Sequence, residues 1–219
     1  MRGQIWTVLL PDGYFRPALV VGFFAGSKSA IVLPIVSKKN SELCLRLTPA
    51  EIRQPAYVSC DILSIVHTVA EVPTKTTFRV IGKATKQTLE QTDQLLTQIL
   101  GLKNNESEID SSKLRRGQIW HTKDSRTVIK ISSDFYDSKF PDKILVVSVT
   151  ENPHHLHTNS LHLASRESGT SDDVYVVFDT LSMCSKECLD QQLGTVTSNS
   201  LEKINAVLLN TLEISGQDS

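Results

Sequence analysis

Three sets of side chains in this sequence have the chemistry to form a site. Four cysteines, Cys44, Cys60, Cys184 and Cys188, could act as ligands or nucleophiles. Only the last two are close in sequence, and the first two lack paired-ligand spacing, so a four-ligand zinc site is not expected. His154, His155, His157 and His162 could ligate a metal, but beside Pro153 and polar neighbours, without fixed metal-site spacing, they read as a loop. The third set is basic: Arg16, Lys28, Lys38 and Lys39 could neutralise the phosphates of a nucleic acid.

The distribution of charge favours the basic set. The chain has 219 residues and a net charge of −1. Residues 1–105 carry a net +5 and residues 106–219 a net −6. Affinity for a polyanion follows phosphate neutralisation, so any nucleic-acid surface is expected on the first half. With 40% hydrophobic and 21% charged residues the chain can bury a core. No stretch approaches the eighteen or so apolar residues of a membrane span, and the start Met1-Arg2-Gly3-Gln4-Ile5-Trp6 lacks the apolar run of an export signal. A cytoplasmic location is therefore expected, with reduced thiols serving as small core residues.

The elements that must position these residues occur twice. Arg2-Gly3-Gln4-Ile5-Trp6 returns as Arg116-Gly117-Gln118-Ile119-Trp120, 114 residues later. Asp61-Ile62-Leu63-Ser64 is echoed by Asp179-Thr180-Leu181-Ser182, Gly82 by Gly194, and Thr85-Lys86-Gln87-Thr88-Leu89-Glu90 by Thr197-Ser198-Asn199-Ser200-Leu201-Glu202. Four landmarks in one order point to tandem duplication. The expected division is a domain over 1–103, a polar linker over 104–114 and a second domain over 115–219.

Within a copy, strands are expected first: Ile5 to Leu10, Ala18 to Phe24, Ala30 to Val36, Tyr57 to Ser64 and Phe78 to Ile81, and in the second copy Thr127 to Ile131, Ile144 to Val149 and Val174 to Phe178. Five or six short strands in this space suggest a small barrel. Leu89, Leu96, Ile99 and Leu100, like Leu201, Ile204, Leu208 and Leu212, fall at helical spacing, so each barrel is expected to carry a C-terminal helix capped near Thr85 and Ser198.

Arg2-Gly3-Gln4-Ile5-Trp6, Arg16-Pro17-Ala18-Leu19-Val20-Val21, Leu33-Pro34-Ile35, Asp61 and Ile81-Gly82-Lys83 together resemble successive landmarks of the MazF/PemK (CcdB-like) toxin family. The resemblance covers residues 2–102, and more faintly 115–214. It implies a mainly β fold with α: two SH3-like barrels, each with a C-terminal helix, docked as a pseudo-dimer within one chain. It also implies cleavage of single-stranded RNA without a metal or other cofactor, and an antitoxin or related toxin as partner.

By the resemblance Arg16 takes the role of an arginine that stabilises phosphate charge. A guanidinium suits that role because it stays charged and can grip two oxygens. The family's threonine falls on Val36, which makes the adjacent Ser37 the candidate hydroxyl if the strand has ended or bulged there. Lys28, Lys38 and Lys39 are the candidate RNA-binding lysines. The turn before Arg16 is short, and Asp61-Ile62-Leu63 is followed by Ser64 where the family has an arginine.

In the second copy Arg126 is followed by Thr127, and the turn from Trp120 to Arg126 is four residues shorter than that from Trp6 to Arg16. That pocket is expected to be degenerate: Val146-Val147-Ser148-Val149-Thr150 could place Thr150 near the family's threonine position, but its register is ambiguous and a solvent-facing strand threonine is the expected reading. Two other functions follow from the same resemblance. One is an inactive module that binds RNA or a toxin or antitoxin partner. The other is gyrase poisoning of the CcdB type, whose C-terminal tryptophan has no counterpart in Leu212 to Ser219.

Overall fold

The structure is a computed structural model and describes residues 1–10, 13–24, 29–61, 63–67, 79–102, 114–152 and 159–214. Lys28, His154, His155, His157 and nearly all of the expected linker lie outside them. The described chain is mainly β, with two antiparallel sheets and four α-helices, and none of those helices is long and apolar enough to cross a membrane. It divides into two compact units, Met1–Leu96 with the segment from Asn210 onward, and Thr97–Leu209.

In the first unit β1 (Gln4–Leu9), β2 (Phe15–Phe23) and β3 (Ser29–Val36) form a meander, followed by β4 (Cys44–Leu47), β5 (Ala56–Ser59), β6 (Ser64–His67) and β7 (Arg79–Lys83). The sheet order is β4-β5-β3-β2-β1-β7, with β6 also on β3. The expected strand from Tyr57 to Ser64 is therefore two strands. β3 is buried at seven of its eight positions, as a near-continuous Ala-Ile-Val-Leu-Pro-Ile run dictates when both faces are covered. Trp6, Val8, Ala18, Val20, Ala30 and Val32 form one core cluster.

Helix α1 (Lys86–Leu100) follows, and in the second unit come β8 (Gln118–Thr122), β9 (Thr127–Lys130), α2 (Asp134–Lys139) and β10 (Lys143–Thr150). β11 (Ser160–Leu163), α3 (Ser165–Ser168), β12 (Val174–Ser185), a single 3-10 turn Lys186–Cys188, β13 (Leu189–Thr195) and α4 (Ser198–Thr211) complete it. The sheet order is β11-β12-β10-β9-β8-β13. With β8 in place of β1, β9 of β2, β10 of β3, β12 of β5, β11 of β4 and β13 of β7, it is the order of the first sheet. His162 lies in the edge strand β11 rather than in a loop, where Asp173 holds it at 3.1 Å and Tyr175 stacks on it at 5.0 Å. No group of three potential metal ligands occurs among the described residues.

The repeated pentapeptide does the same local work in both units. Gly3 and Gly117 have φ of 82° and 84°, left-handed values that favour glycine. The Trp6 indole N–H donates to Gln4 Oε1 at 2.9 Å, and that of Trp120 to Gln118 Oε1 at 3.4 Å. The Arg2 and Arg116 Nε groups donate to the Val21 and Ile131 carbonyls, each at 2.9 Å. Arg2 also pairs with Asp93 of α1, and Arg116 with Asn205 of α4, so each arginine ties a helix to its sheet.

Thr85 caps α1, its hydroxyl accepting the Thr88 N–H at 3.2 Å. For α4 the cap is Thr197, not Ser198, because Thr197 Oγ1 accepts the Ser200 N–H at 3.2 Å while Ser198 is already in the helix. Leu96, Ile99 and Leu100 of α1 and Ile204 and Leu208 of α4 are buried, as their helical spacing predicts, whereas Leu89 and Leu201 are only half-buried. All four cysteines are free; Cys44, Cys60 and Cys184 are buried and Cys188 half-buried.

Candidate nucleic-acid site

Arg16 lies near the start of β2, exposed, and Pro17 next to it begins to turn into the core. Its guanidinium sits 5.4 Å from the centre of the Tyr14 ring, within cation–π range. Tyr14 and Phe15 are 65% and 54% exposed, so both aromatic rings lie outside the core, and Tyr14 is the one against this charge. β3 ends at Val36, and Ser37 is the first residue beyond it, exposed, with exposed Lys38 and Lys39 following. Arg16, Pro17, Ile35, Val36, Ser37 and Gln54 belong to one open cavity of about 410 Å³. The structure thus brings Arg16 and Ser37 to one pocket, while Lys38 and Lys39 are not among its lining residues.

The second unit has a larger cavity, of about 690 Å³, around Arg126, Thr127, Ser148, Thr150, Thr170 and Ser171. Strand register shows that it occupies the corresponding place in its sheet. Ile5 faces Leu19, which faces Leu33; likewise Ile119 faces Ile129, which faces Val147. Counting out from these positions aligns Arg16 with Arg126, Pro17 with Thr127, Val36 with Thr150 and Ser37 with Glu151. An independent strand pair agrees, since Val36 faces Tyr57 and Thr150 faces Tyr175.

Register settles which of the two possible places Thr150 takes. It is half-buried in the cavity wall, at the position Val36 holds in the first sheet. Its Oγ1 accepts the Asn152 N–H at 3.1 Å. The hydroxyl proton and a second lone pair remain for other bonds. The pocket is not stripped of polar groups, and the short turn has its own device. The Thr122 hydroxyl donates to Asp124 Oδ1 at 2.6 Å, and Asp124 Oδ2 accepts Arg126 Nε–H at 2.8 Å. The Thr122 hydroxyl bond, and with it the Arg126 guanidinium, holds the Asp124 carboxyl below the usual carboxylate range. Ser125 completes the turn at φ 64° in the left-handed region.

Behind the first pocket, the loop after β4 is fixed by Glu51. Its Oε2 accepts the Thr48 N–H at 2.6 Å and its Oε1 the Thr85 N–H at 2.7 Å. Burial pushes this carboxyl up, but the hydrogen bonds from Thr88, Thr48 and Thr85 outweigh it and hold its pKa at about 2. Gly82 fits here because a Cβ would stand 2.1 Å from the Glu51 carbonyl oxygen.

No protein-family profile matches the chain, and no curated protein sequence does. Part of it is similar to solved structures. An endoribonuclease from mycobacterial species matches 46% of this chain and 92% of its own, at 20% identity and a TM-score of 0.39. A mycobacterial endoribonuclease in complex with its cognate antitoxin matches 47% and 98%, at 19% identity and 0.40. The MazE–MazF structure from Deinococcus radiodurans matches 46% and 93%, at 22% identity and 0.37.

Proposed function

We propose that this chain is a MazF-like endoribonuclease of a toxin–antitoxin system, which cleaves single-stranded RNA through the RNA's own 2′-hydroxyl and without a metal. The observation that carries the proposal is the register correspondence of Arg16 and Arg126, each at the start of its sheet's second strand and each lining a pocket with hydroxyls at the end of the third. On this reading Arg16 and Ser37 contact a phosphate in the first pocket, and Lys28, Lys38 and Lys39 attract the strand. Tyr14 and Phe15 offer faces on which unpaired bases stack, a recurring combination with basic residues in single-strand binding. The tandem organisation over 1–103 and 115–219, an SH3-like form for each barrel, their docking as an intramolecular pair, and an antitoxin partner belong to the same proposal.

A second reading, an inactive module that binds RNA or a toxin–antitoxin partner, is favoured by one observation: Val36 stands where the first pocket would need a hydroxyl. Incubation of the pure protein with mixed-sequence single-stranded RNA in excess EDTA separates the two. Fragments ending in 2′,3′-cyclic phosphate support the nuclease. Bound but intact RNA supports the module.

A further inference from the structure

Two thiols meet beside the turn that carries Arg126. Cys184, near the end of β12, faces Ile144 of β10 and is buried in one cluster with Val128, Ile144 and Val146. Cys188, at the end of the 3-10 turn, is half-buried and packs against the same cluster. The Cys184 thiol donates to the Ser185 carbonyl at 3.2 Å. Burial pushes this thiol up, and the Cys188 thiol, hydrogen-bonded to it, adds to the effect, so the two sulfurs are in contact.

The 3-10 turn is tied to the wall of the second-unit cavity. The Cys188 carbonyl accepts the Lys123 N–H at 2.9 Å, and Leu189 faces Thr122. Thr122 in turn holds Asp124, and Asp124 holds Arg126. β13 starts at Leu189 and brings Leu193 to the cavity that Ser125, Arg126 and Thr127 also line. A shift of Cys188 is therefore passed to both the turn and the strand.

We propose that Cys184 and Cys188 are a peroxide-sensitive dithiol, whose oxidation to a disulfide displaces the turn from Thr122 to Arg126. This modification stands whether or not the chain cuts RNA.

The chemistry balances with hydrogen peroxide as the one co-reactant. Cys188 is the more accessible thiol, and its thiolate attacks a peroxide oxygen as the O–O bond breaks, giving a sulfenic acid and hydroxide. The Cys184 sulfur then attacks the Cys188 sulfur, and its proton leaves with the displaced hydroxyl as water. The two thiols lose two electrons, the peroxide gains them, and one S–S bond forms. That bond is about 2.05 Å long, shorter than any contact between unbonded sulfurs, so the 3-10 turn must close on β12 and pull Cys188 from Lys123. A bridge around only Ser185, Lys186 and Glu187 is strained, which makes it readily reducible. The first-unit thiols are less suited. Cys44 and Cys60 are both buried, and burial, with Cys44 and Asp61 beside it, pushes the Cys60 thiol far up.

The test treats the full-length protein with hydrogen peroxide, unfolds and alkylates it, and digests it with trypsin. Lys186 lies between the two cysteines, so the bridge joins peptide 167–186 to peptide 187–203 until a reductant separates them. We expect that joined pair, with Cys44 and Cys60 still alkylated. Cys184→Ser should leave Cys188 as a sulfenic acid that a 1,3-dione traps, and Cys188→Ser should leave Cys184 unoxidised. Amide hydrogen exchange at Lys123 and Ser125 should quicken severalfold on oxidation of the wild type, return on reduction, and stay unchanged in Cys188→Ser. Four alkylated thiols after peroxide treatment, or a bridge that takes in Cys44 or Cys60, overturn the assignment. A Cys184–Cys188 bridge with unchanged exchange overturns its coupling to the turn.

Discussion

Arg126 Nε–H donates to Asp124 Oδ2 at 2.8 Å, and the same carboxylate accepts the Thr122 hydroxyl through Oδ1 at 2.6 Å. Asp124→Ala keeps the Arg126 charge and every hydroxyl of the pocket but releases the side chain. On the proposed nuclease reading, with Arg126 at the register position of Arg16, it should lower the rate of RNA cleavage by about tenfold. Because the Asp124 carboxyl is held below its usual range, the brace persists through mildly acid pH and is lost only on further acidification. The cleavage rate of Asp124→Ala should therefore depend less on acid pH than that of the wild type.

Lys130 is fully buried in β9, its Nζ 2.7 Å from the Ser132 carbonyl and 3.1 Å from Asp137 of α2. Removing one member of a buried ion pair costs about 3–5 kcal/mol, because the other charge is left in the interior. Asp137→Leu alone should lower the melting temperature by roughly 10 °C. The double substitution Lys130→Met with Asp137→Leu should recover most of that loss. Thermal melts of the three proteins check this.

Glu51 gives the first unit a definite response to acid. Its pKa falls from an ordinary 4.5 to about 2 in the folded state, so the stabilisation is complete above 4.5 and is lost as pH drops towards 2. The linkage amounts to about 3 kcal/mol. Urea denaturation between pH 5 and pH 2 should show this loss in the wild type, and Glu51→Gln should show a shallower slope.

The framework of both sheets is legible in the sequence where residues do local work. The glycine of the repeated pentapeptide needs a left-handed φ, its glutamine meets the tryptophan two residues on, and its arginine reaches a helix side chain. Those needs fix residue types at short spacing, which a self-comparison detects. β13 is not legible, since Leu189–Thr195 is an edge strand with five exposed or polar positions and no apolar alternation. Helix α2 is six residues long with only Tyr136 buried, too short for a periodic pattern. Thr150 is ambiguous in the sequence for a different reason. The run from Val146 to Thr150 fits either strand register, and only its partners Lys130, Ile129 and Val128 on one side and Tyr175 on the other choose between them. Arg16 and Ser37, read from the family resemblance, do come to one cavity, and Thr150 lines the corresponding cavity of the other unit.

The exposed aromatic residues Tyr14 and Phe15 make a prediction about binding separate from cutting. Stacking of a base on an aromatic side chain is worth about 1–3 kcal/mol. Tyr14→Ala or Phe15→Ala should weaken single-stranded RNA binding by roughly tenfold with little change in salt dependence. Lys38→Ala with Lys39→Ala should instead reduce the salt slope. Fluorescence anisotropy across a salt series distinguishes the two effects.

The most direct measurement compares a single-stranded RNA with the same sequence 2′-O-methylated throughout, both incubated with the full-length protein in excess EDTA. The account predicts that the unmodified strand is cut to cyclic-phosphate and 5′-hydroxyl ends and that the methylated strand is bound but left whole. Cleavage of the methylated strand would contradict attack by the 2′-hydroxyl, and an RNA left intact at high protein concentration would contradict the nuclease itself.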